Sequence, residues 1–307
     1  MCLRRDAYKR IPILFASALA LLVGCQNRTK LIVGSKSSTD QSIVGEIIAQ
    51  HLEHRLGQAV ERRPNLNGTA SAYQLLQGGE VSLYPEYTGS IVSEVLLEPP
   101  VTDPPQVFER ARGEVRRTGR VELLDPLGFD NHVVMVIRTD DPRAARTQTL
   151  DDAAKAGEGG DAKNGWKIAV SYAFQQTADI SLLTKYQLPM AAAVRGMESA
   201  SLFPALQKGE ISMIAARATD GMLASTDKAA SAWKILEDNR HVFTPQQSAI
   251  LVRQDVLMSL PGLRPALEEL SGKFTAARVR SLTAAVDVDQ HKVKDVAADF
   301  LKSAGLK

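Results

Sequence analysis

One heptapeptide occurs twice in this chain, as LQGGEVS at residues 76–82 and as LQKGEIS at residues 206–212. Each copy is typical of a helix end, a glycine turn and an apolar strand, and each strand runs into a polar tip. The tip is YPEYTGS at residues 84–90 in the first copy and RATDG at residues 217–221 in the second. Two similar α/β lobes with polar tips can enclose a cleft, so the repeat indicates ligand capture between lobes. The alternative is a chance match of two ordinary helix-turn-strand units.

The N-terminus has the pattern of an export signal, because four basic residues within the first ten precede a short apolar run. The run ends in LVGC at residues 22–25, which resembles the bacterial lipobox. We therefore expect a lipoprotein signal peptide over residues 1–24, lipid on Cys25 and a polar tether over residues 25–30. The alternative is a plain signal peptide with an incidental cysteine. Cleavage would remove Cys2, the other cysteine of the chain, which excludes a disulfide framework.

The composition is that of a globular protein, with 44% hydrophobic and 23% charged residues. The net charge of +2 is misleading, because residues 1–24 hold four basic residues and one acidic residue. The remainder has 37 − 4 = 33 basic and 35 − 1 = 34 acidic residues, a net charge of −1. No basic face indicates a nucleic-acid partner. No apolar run after the signal is long enough to cross a bilayer.

Strand and helix patterns alternate along the rest of the chain. The segment after the tether reads as βαβαβ, which predicts a parallel sheet with helices on both faces. A strand over Asn131–Ile137 is expected to cross into a second lobe, and a strand over Ala249–Val252 is expected to return to the first. The expected division is lobe one at residues 31–130 and 245–307, and lobe two at residues 131–244.

Motifs of catalysis are absent from the sequence. It contains no zinc-protease, nucleophile-elbow, P-loop or paired-cysteine motif, so we expect no catalytic residue, no cofactor and no metal site. His51 and His54 are three residues apart on one predicted helix and could share a metal, but we interpret them as solvated surface residues. The glycine-rich segment at residues 157–165 lacks the ending of a phosphate-binding loop and is interpreted as a surface turn.

The polar tip of the first repeat is a candidate binding site. We expect strand pairing to stop at Pro85 and the chain to turn at Gly89 into a helix at Ser90. Tyr87 and Ser90 would then lie at the carboxyl end of a parallel strand, where doubly wound sheets bind ligands. A tyrosine ring attracts quaternary ammonium, and Ser90 with helix N–H groups suits a carboxylate. The alternative is that the tyrosines of this tip pack at a lobe edge.

Two cations are further candidates. Lys36 follows the first predicted strand at the equivalent switch-point position. Arg217 stands in the second repeat where Tyr87 stands in the first, and an arginine facing a cleft can bind a carboxylate with two parallel hydrogen bonds. The alternatives are a solvated lysine and an arginine in a surface ion pair.

Several motifs resemble the glycine betaine/choline/carnitine type of substrate-binding protein from ABC importers. They include IVGSK at residues 32–36, LNGTA at 66–70, LYPEYTGS at 83–90, GFDN at 128–131 and TDG at 219–221. The resemblance covers essentially the whole mature chain. It implies an α/β, two-lobed periplasmic-binding-protein-like fold of type II, with parallel or mixed sheets, helices on both faces and a hinge between lobes. It also implies delivery of a compatible solute to a membrane permease with an ATPase.

The resemblance carries over unevenly to the ligand site. Tyr87 and Phe203 match positions of an aromatic cage that holds a trimethylammonium group. Val133 and Arg217 stand where further rings are expected, and Thr177 stands where a carboxylate-binding arginine is expected. The resemblance therefore implies the fold and the role more strongly than specificity for betaine.

Lys36 and Ser90 match carboxylate contacts of that family. Thr69 and Asn131 are expected to donate hydrogen bonds to the ligand. The predicted ligand-binding residues are Lys36, Gln41, Thr69, Tyr87, Ser90, Asn131, Tyr172, Phe203 and Arg217.

The sequence thus predicts an extracytoplasmic solute-binding lipoprotein of an ABC importer, anchored in the periplasm or at the cell surface. We expect a monomer that binds a small betaine- or choline-type solute, or a related zwitterionic or anionic one. Its expected partners are the permease and ATPase subunits and, through the lipid on Cys25, a membrane surface. The alternatives are a ligand-sensing lipoprotein of the same fold without a transport role and an enzyme on a two-lobed scaffold.

Overall fold

The computed structural model describes residues 30–156, 165–175, 180, 183–227 and 231–307. Cys25 and the predicted signal peptide, Thr177, and residues 157–164 of the glycine-rich segment lie outside these residues. The strands of the described residues form two five-stranded sheets, which confirms the two-lobed α/β expectation.

The first sheet combines the N-terminal repeat with the end of the chain. Its strands are β1 (Leu31–Lys36), β2 (Val60–Leu66), β3 (Leu83–Tyr87), β4 (Val121–Leu123) and β10 (Ser248–Arg253). They are ordered β2-β1-β3-β10-β4. The strands β1, β2 and β3 are parallel, whereas β10 is antiparallel to both β3 and β4.

The second sheet repeats this plan. Its strands are β5 (Val133–Arg138), β6 (Ile168–Ser171), β7 (Arg195–Met197), β8 (Met213–Arg217) and β9 (Trp233–Leu236). They are ordered β7-β6-β8-β5-β9. Here β5 is antiparallel to β8 and β9, as β10 is to its two neighbours. The shared plan aligns the tips of β3 and β8, the two strands that the sequence repeat relates.

Helices bury the apolar faces of both sheets. Those of lobe one are α1 (Thr39–Leu56), α2 (Gly68–Gln77), α3 (Pro104–Gly119), α7 (Gln254–Ser259), α8 (Leu263–Glu268), α9 (Ala276–Asp287) and α10 (Val293–Ser303). Those of lobe two are α4 (Leu150–Lys155), α5 (Tyr172–Gln175) and α6 (Ser199–Gln207). Short helical segments at Thr88–Ser90 and Ile91–Val95 follow β3, and a 3₁₀ segment at Gly221–Asp227 follows β8.

The surface interpretation of His51 is wrong. Helices α8, α9 and α10 pack on α1, so that His51 is fully buried. Its Nε2 lies 2.9 Å from the carbonyl of Ala266 and donates to it. Burial lowers the pKa of His51, because desolvation disfavours the charged ring.

The expectation that strand pairing stops at Pro85 is also wrong. Strand β3 continues through Pro85 to Tyr87 and pairs with β10, with Pro85 opposite Ile250. A proline removes one donor but leaves its carbonyl and its neighbours free to pair. The strand therefore ends at Tyr87, which lies at its carboxyl end.

Two connecting segments carry the chain between the sheets and run side by side. Asp130 and Gln247 form an antiparallel bridge between them. The Asn131 N–H donates to the Gln246 carbonyl at 2.9 Å, and the Gln246 N–H donates to the Asp130 carboxylate at 3.0 Å. These bonds hold the two connecting segments together directly beside the ends of β3 and β8.

A further contact joins the lobes at the end of α9. Gly221 lies so close to the backbone of Ala284 that an added Cβ would come within 2.7 Å of its nitrogen. Arg280 Nη1 donates to the Ala218 carbonyl at 2.9 Å. A glycine at position 221 is therefore required for this close approach of lobe two to α9.

Candidate functional site

A cavity of about 400 Å³ lies where the tips of β3 and β8 meet the connecting segments. Both lobes contribute to its walls. Six of the nine predicted ligand-binding residues line it, namely Lys36, Thr69, Tyr87, Ser90, Asn131 and Arg217. The walls also contain Ser38, Thr39, Asp40, Gly68, Glu94, Thr219, Asp220, Gln246, Thr283 and Asp287.

Asn131 links the two strand tips from its place in the crossing segment. Its Nδ2 donates to Asp40 Oδ2 at 3.0 Å and to the Tyr87 hydroxyl at 3.1 Å. Its Oδ1 accepts from the N–H and the hydroxyl of Thr219 at 3.1 and 2.7 Å. All four residues are buried, so this network forms a rigid polar floor under both tips.

Tyr87 is held on several sides. Its hydroxyl donates to Asp40, and its ring packs edge-on against Phe129 with a centroid distance of 6.4 Å. Lys36 Nζ lies over the ring, 5.2 Å from the centroid. Burial raises the pKa of Tyr87 well above its ordinary value, and the neighbouring Asp40 charge adds to the shift. The phenol is therefore a fixed, neutral hydrogen-bond donor.

Lys36 forms an ion pair with Glu86, whose side chain is fully buried in the sheet. Its ammonium also donates to Thr69 Oγ1 at 3.0 Å. Glu86 accepts a second bond from the Tyr87 N–H at 2.7 Å. The positive charge of Lys36 is therefore largely compensated within lobe one.

Ser90 is tied to the returning connecting segment. Its N–H and its hydroxyl lie 3.0 and 3.3 Å from Gln246 Oε1, to which both can donate. Gly89 allows this approach, because a Cβ there would collide with the Pro245 carbonyl. Ser90 thus lines the cavity, and its hydrogen bonds to Gln246 join the tip of β3 to the returning connecting segment.

Arg217 is the cavity's cation from lobe two. It ends β8 opposite Val133 and is partly exposed. Within the part of the chain that the structure describes, it forms no ion pair. Its guanidinium is therefore available to a ligand, unlike the ammonium of Lys36.

Two of the cavity's carboxyl groups have shifted pKa values. Burial raises the pKa of Glu94, and the nearby positive charges of Lys36 and Arg217 act against this shift. Burial also raises the pKa of Asp220, although its carboxylate accepts from the Met222 N–H at 2.9 Å. Desolvation is the main cause of both pKa shifts, and neighbouring carboxylates add to them, Glu86 at Glu94 and Asp287 with Asp40 at Asp220.

Three predicted ligand-binding residues do not line this cavity. Gln41 is buried beside it, and its amide makes no hydrogen bond among the described residues. Phe203 lies in the core of lobe two, edge-on to Trp233 at 5.4 Å between centroids. Tyr172 follows β6 and is 53% exposed. A contact between these residues and a ligand stays a prediction.

Sequence reasoning missed the cavity's four carboxylates, which are Asp40, Glu94, Asp220 and Asp287. Asp220 belongs to the TDG motif at residues 219–221, and Asp40 lies in the first turn of α1. An acidic residue in the first turn of a helix is common for reasons unrelated to ligands, so Asp40 gave no distinctive signal.

No helix in the described part of the chain is long and apolar enough to span a membrane. No group of three or more histidine, cysteine, aspartate or glutamate side chains there could hold a metal ion, so the four cavity carboxylates do not converge on one point.

Comparison with known proteins agrees with this architecture. The family model described as the substrate-binding domain of ABC-type glycine betaine transport systems matches residues 29–303. The carnitine transport binding protein OpuCC of Listeria monocytogenes is 24% identical over 94% of this chain and 92% of its own length. The glycine betaine-binding protein YehZ of Escherichia coli is 26% identical over 95% of this chain and 97% of its own.

Solved structures show the same fold. A crystal structure of a glycine betaine/carnitine/choline ABC transporter protein superposes with a TM-score of 0.79 and 19% identity, over 90% of this chain and 99% of that one. The family match spans nearly all of the described residues. The chain therefore belongs to the family of substrate-binding domains of ABC-type glycine betaine transport systems.

Proposed function

We propose that this member of the family is an extracytoplasmic receptor that captures a small betaine-, choline- or carnitine-like solute, or a related zwitterion, for an ABC importer. The ligand would lie between lobe one, residues 31–130 and 245–307, and lobe two, residues 131–244. The observation that carries the proposal is the cavity that polar side chains of both repeat tips line together. A permease and an ATPase are the proposed partners, and the receptor is proposed to act as a monomer without catalytic activity.

Within this site, Arg217 is proposed to hold the carboxylate of the ligand, because it makes no ion pair in the described part of the chain. The lobes are proposed to close on the ligand about the two connecting segments. Asn131 would couple the two strand tips during closure, because its side-chain amide is hydrogen-bonded to Tyr87 on one side and to Thr219 on the other. Ser90 and Thr69 would supply hydroxyl groups from lobe one.

Thermal unfolding of the purified protein tests the proposal. The panel contains glycine betaine, carnitine and choline together with their unmethylated counterparts. A ligand at a hundred times its Kd should stabilise the protein by about 2.7 kcal/mol, which is visible as a rise in Tm. Arg217→Ala should abolish the shift produced by carboxylate-bearing solutes, whereas Arg146→Ala, at an exposed arginine of lobe two, should keep it. A panel without any stabilising member, or a response that Arg217→Ala leaves unchanged, would contradict the proposal.

We also propose that residues 1–24 are removed as a signal peptide and that lipid on Cys25 anchors the receptor to a bacterial membrane. The LVGC segment at residues 22–25 and the lack of another cysteine in the mature chain support this. Cys25→Ser should move the protein from the membrane fraction to the soluble fraction. A wild-type protein that is already soluble without detergent would contradict the lipid anchor.

A further inference from the structure

The cavity offers little aromatic surface. Among the described residues that line it, Tyr87 is the sole aromatic side chain. Lys36 Nζ already lies over that ring, and the hydroxyl is bonded to Asp40. Quaternary ammonium groups are recognised by cages of several accessible ring faces. Here a cation of the protein itself lies over the single ring.

Carboxylates dominate the charge of the cavity. Asp40 and Glu94 come from lobe one, Asp220 comes from lobe two, and Asp287 ends α9. None of the four forms an ion pair within the described part of the chain. Of the two lining cations, Lys36 is paired with Glu86, so four carboxylates share the cavity with Arg217, the one lining cation without an ion pair among the described residues. The cavity therefore attracts positive charge.

Asp40 is the most constrained of these groups, with 5% of its surface exposed. Its Oδ2 accepts from Tyr87, Asn131 and the Thr219 hydroxyl, all of which are neutral donors. Its Oδ1 lacks a hydrogen bond to any described residue. The N-terminal end of α1 offsets part of its charge, but a buried carboxylate is ordinarily also paired with a cation. A cationic ligand with N–H groups would supply that partner.

We propose that the cavity selects solutes whose cationic nitrogen carries N–H groups, a primary ammonium or a guanidinium, over quaternary ammonium solutes. Such a nitrogen donates charge-assisted hydrogen bonds to carboxylates, whereas a trimethylammonium group has no donor. Arg217 remains for an acidic group at the other end of the ligand. The selected class is thus small amino or guanidino acids. This inference rests on the proposed function and narrows the ligand of the same site.

Matched pairs of solutes that differ mainly in N-methylation test the selectivity. We would measure Kd by calorimetry for glycine betaine against glycine, carnitine against 4-amino-3-hydroxybutyrate, and choline against ethanolamine. In at least one pair the N–H member should bind ten-fold or more tightly than its methylated counterpart. Asp220→Asn should weaken the binding of that N–H member at least five-fold, because it removes a cavity charge but keeps an acceptor for the Met222 N–H. The control Glu109→Gln removes an exposed charge on α3 and should change nothing.

The outcomes separate the two proposals. Tighter binding of the methylated member in every pair that binds would overturn the selectivity and leave the solute-receptor function standing. Equal affinities within those pairs would also overturn it. If neither member of any pair binds, the proposed function itself fails. Tighter binding of an N–H member that Asp220→Asn leaves unchanged would overturn the role given to the carboxylates.

Discussion

The two copies of the repeated heptapeptide have kept their scaffold and diverged at their strand tips. Gly79 and Gly209 both adopt left-handed backbone conformations, with φ of +84° and +73°. The guanidinium of Arg253, at the end of β10, covers the first glycine, and that of Arg138, at the end of β5, covers the second. The distal ends of the two lobes are therefore built alike.

The ends of β3 and β8 that line the cavity differ in charge and in how tightly their side chains are held. Strand β3 ends in Tyr87, which is buried and hydrogen-bonded, and the lysine beside it is paired with a buried glutamate. Strand β8 ends in Arg217, which is partly exposed and, among the described residues, unpaired. Lobe one thus presents a prefolded wall, whereas lobe two presents a free charge. Stability should depend on the first tip and ligand recognition on the second.

The largest expected effect is the difference in unfolding free energy between removing Lys36 and removing Arg217. Lys36→Met should lower the free energy of unfolding by about 3 kcal/mol, because it leaves Glu86 buried and unpaired. Arg217→Met should change it by about 0.5 kcal/mol or less, since no ion pair is lost. Urea denaturation of both variants measures the difference.

The double variant Lys36→Met, Glu86→Gln serves as the control, because it removes the unpaired charge. It should recover most of the lost stability. Equal losses in the two single variants would show that the tips do not differ in the way described.

The next largest effect comes from removing the hydroxyl group of Tyr87 in lobe one. Tyr87→Phe removes a donor from Asp40 and a partner from Asn131, and it should cost about 1–2 kcal/mol of unfolding free energy. Tyr172→Phe, at an exposed tyrosine of lobe two, should cost about 0.5 kcal/mol or less. A Tyr87→Phe protein as stable as the wild type would show that this hydrogen-bond network does not stabilise the tip of β3.

Because the two glycine turns are built alike, we expect a substitution to cost the same stability in each. Gly79→Ala and Gly209→Ala should each cost about 1 kcal/mol, because each places a Cβ on a left-handed backbone. The covering arginine side chains can move aside in both cases. Thermal unfolding that gives a cost at one position only would break the equivalence of the two turns.

The smallest effect concerns pH. Burial raises the folded-state pKa of Asp220 and of Glu94, so each group favours folding in its protonated form. That contribution is complete below the unfolded pKa of about 4 and is lost as pH rises through the raised folded value. Asp220→Asn should flatten this loss more than Glu94→Gln does, because Asp220 is the less exposed. Urea midpoints between pH 4 and 7 would show it, and identical pH profiles for wild type and Asp220→Asn would refute it.

Much of the architecture was readable in the sequence because the chain repeats itself. The period between the two heptapeptides placed Tyr87 and Arg217 at equivalent tips, and both line the cavity. Pro85 misled the strand assignment, because a proline suppresses one hydrogen bond without ending a strand that has an antiparallel neighbour. His51 misled the surface assignment, because three helices from the end of the chain cover α1.

The cavity's carboxylates were less predictable. The sequence places Asp40 four residues after Lys36, yet only the fold brings it under Tyr87, Asn131 and Thr219. Phe203 differs from these carboxylates, because its match to a cage position predicts a ligand contact that stays a prediction. In the structure its ring packs against Trp233 in the core of lobe two. Spacing along a chain does not reveal which face of a helix a distant strand covers.

The position of β10 has a consequence for synthesis. This strand lies between β3 and β4 and is the pairing partner of both, although all of lobe two separates it from them along the chain. A nascent chain that has released residues 31–123 still lacks the strand that joins β3 to β4 in its first sheet. Lobe two can close its own sheet as soon as β9 has emerged, whereas lobe one must wait until Arg253 has also emerged. The half of the protein that is made first is therefore the half that finishes folding last.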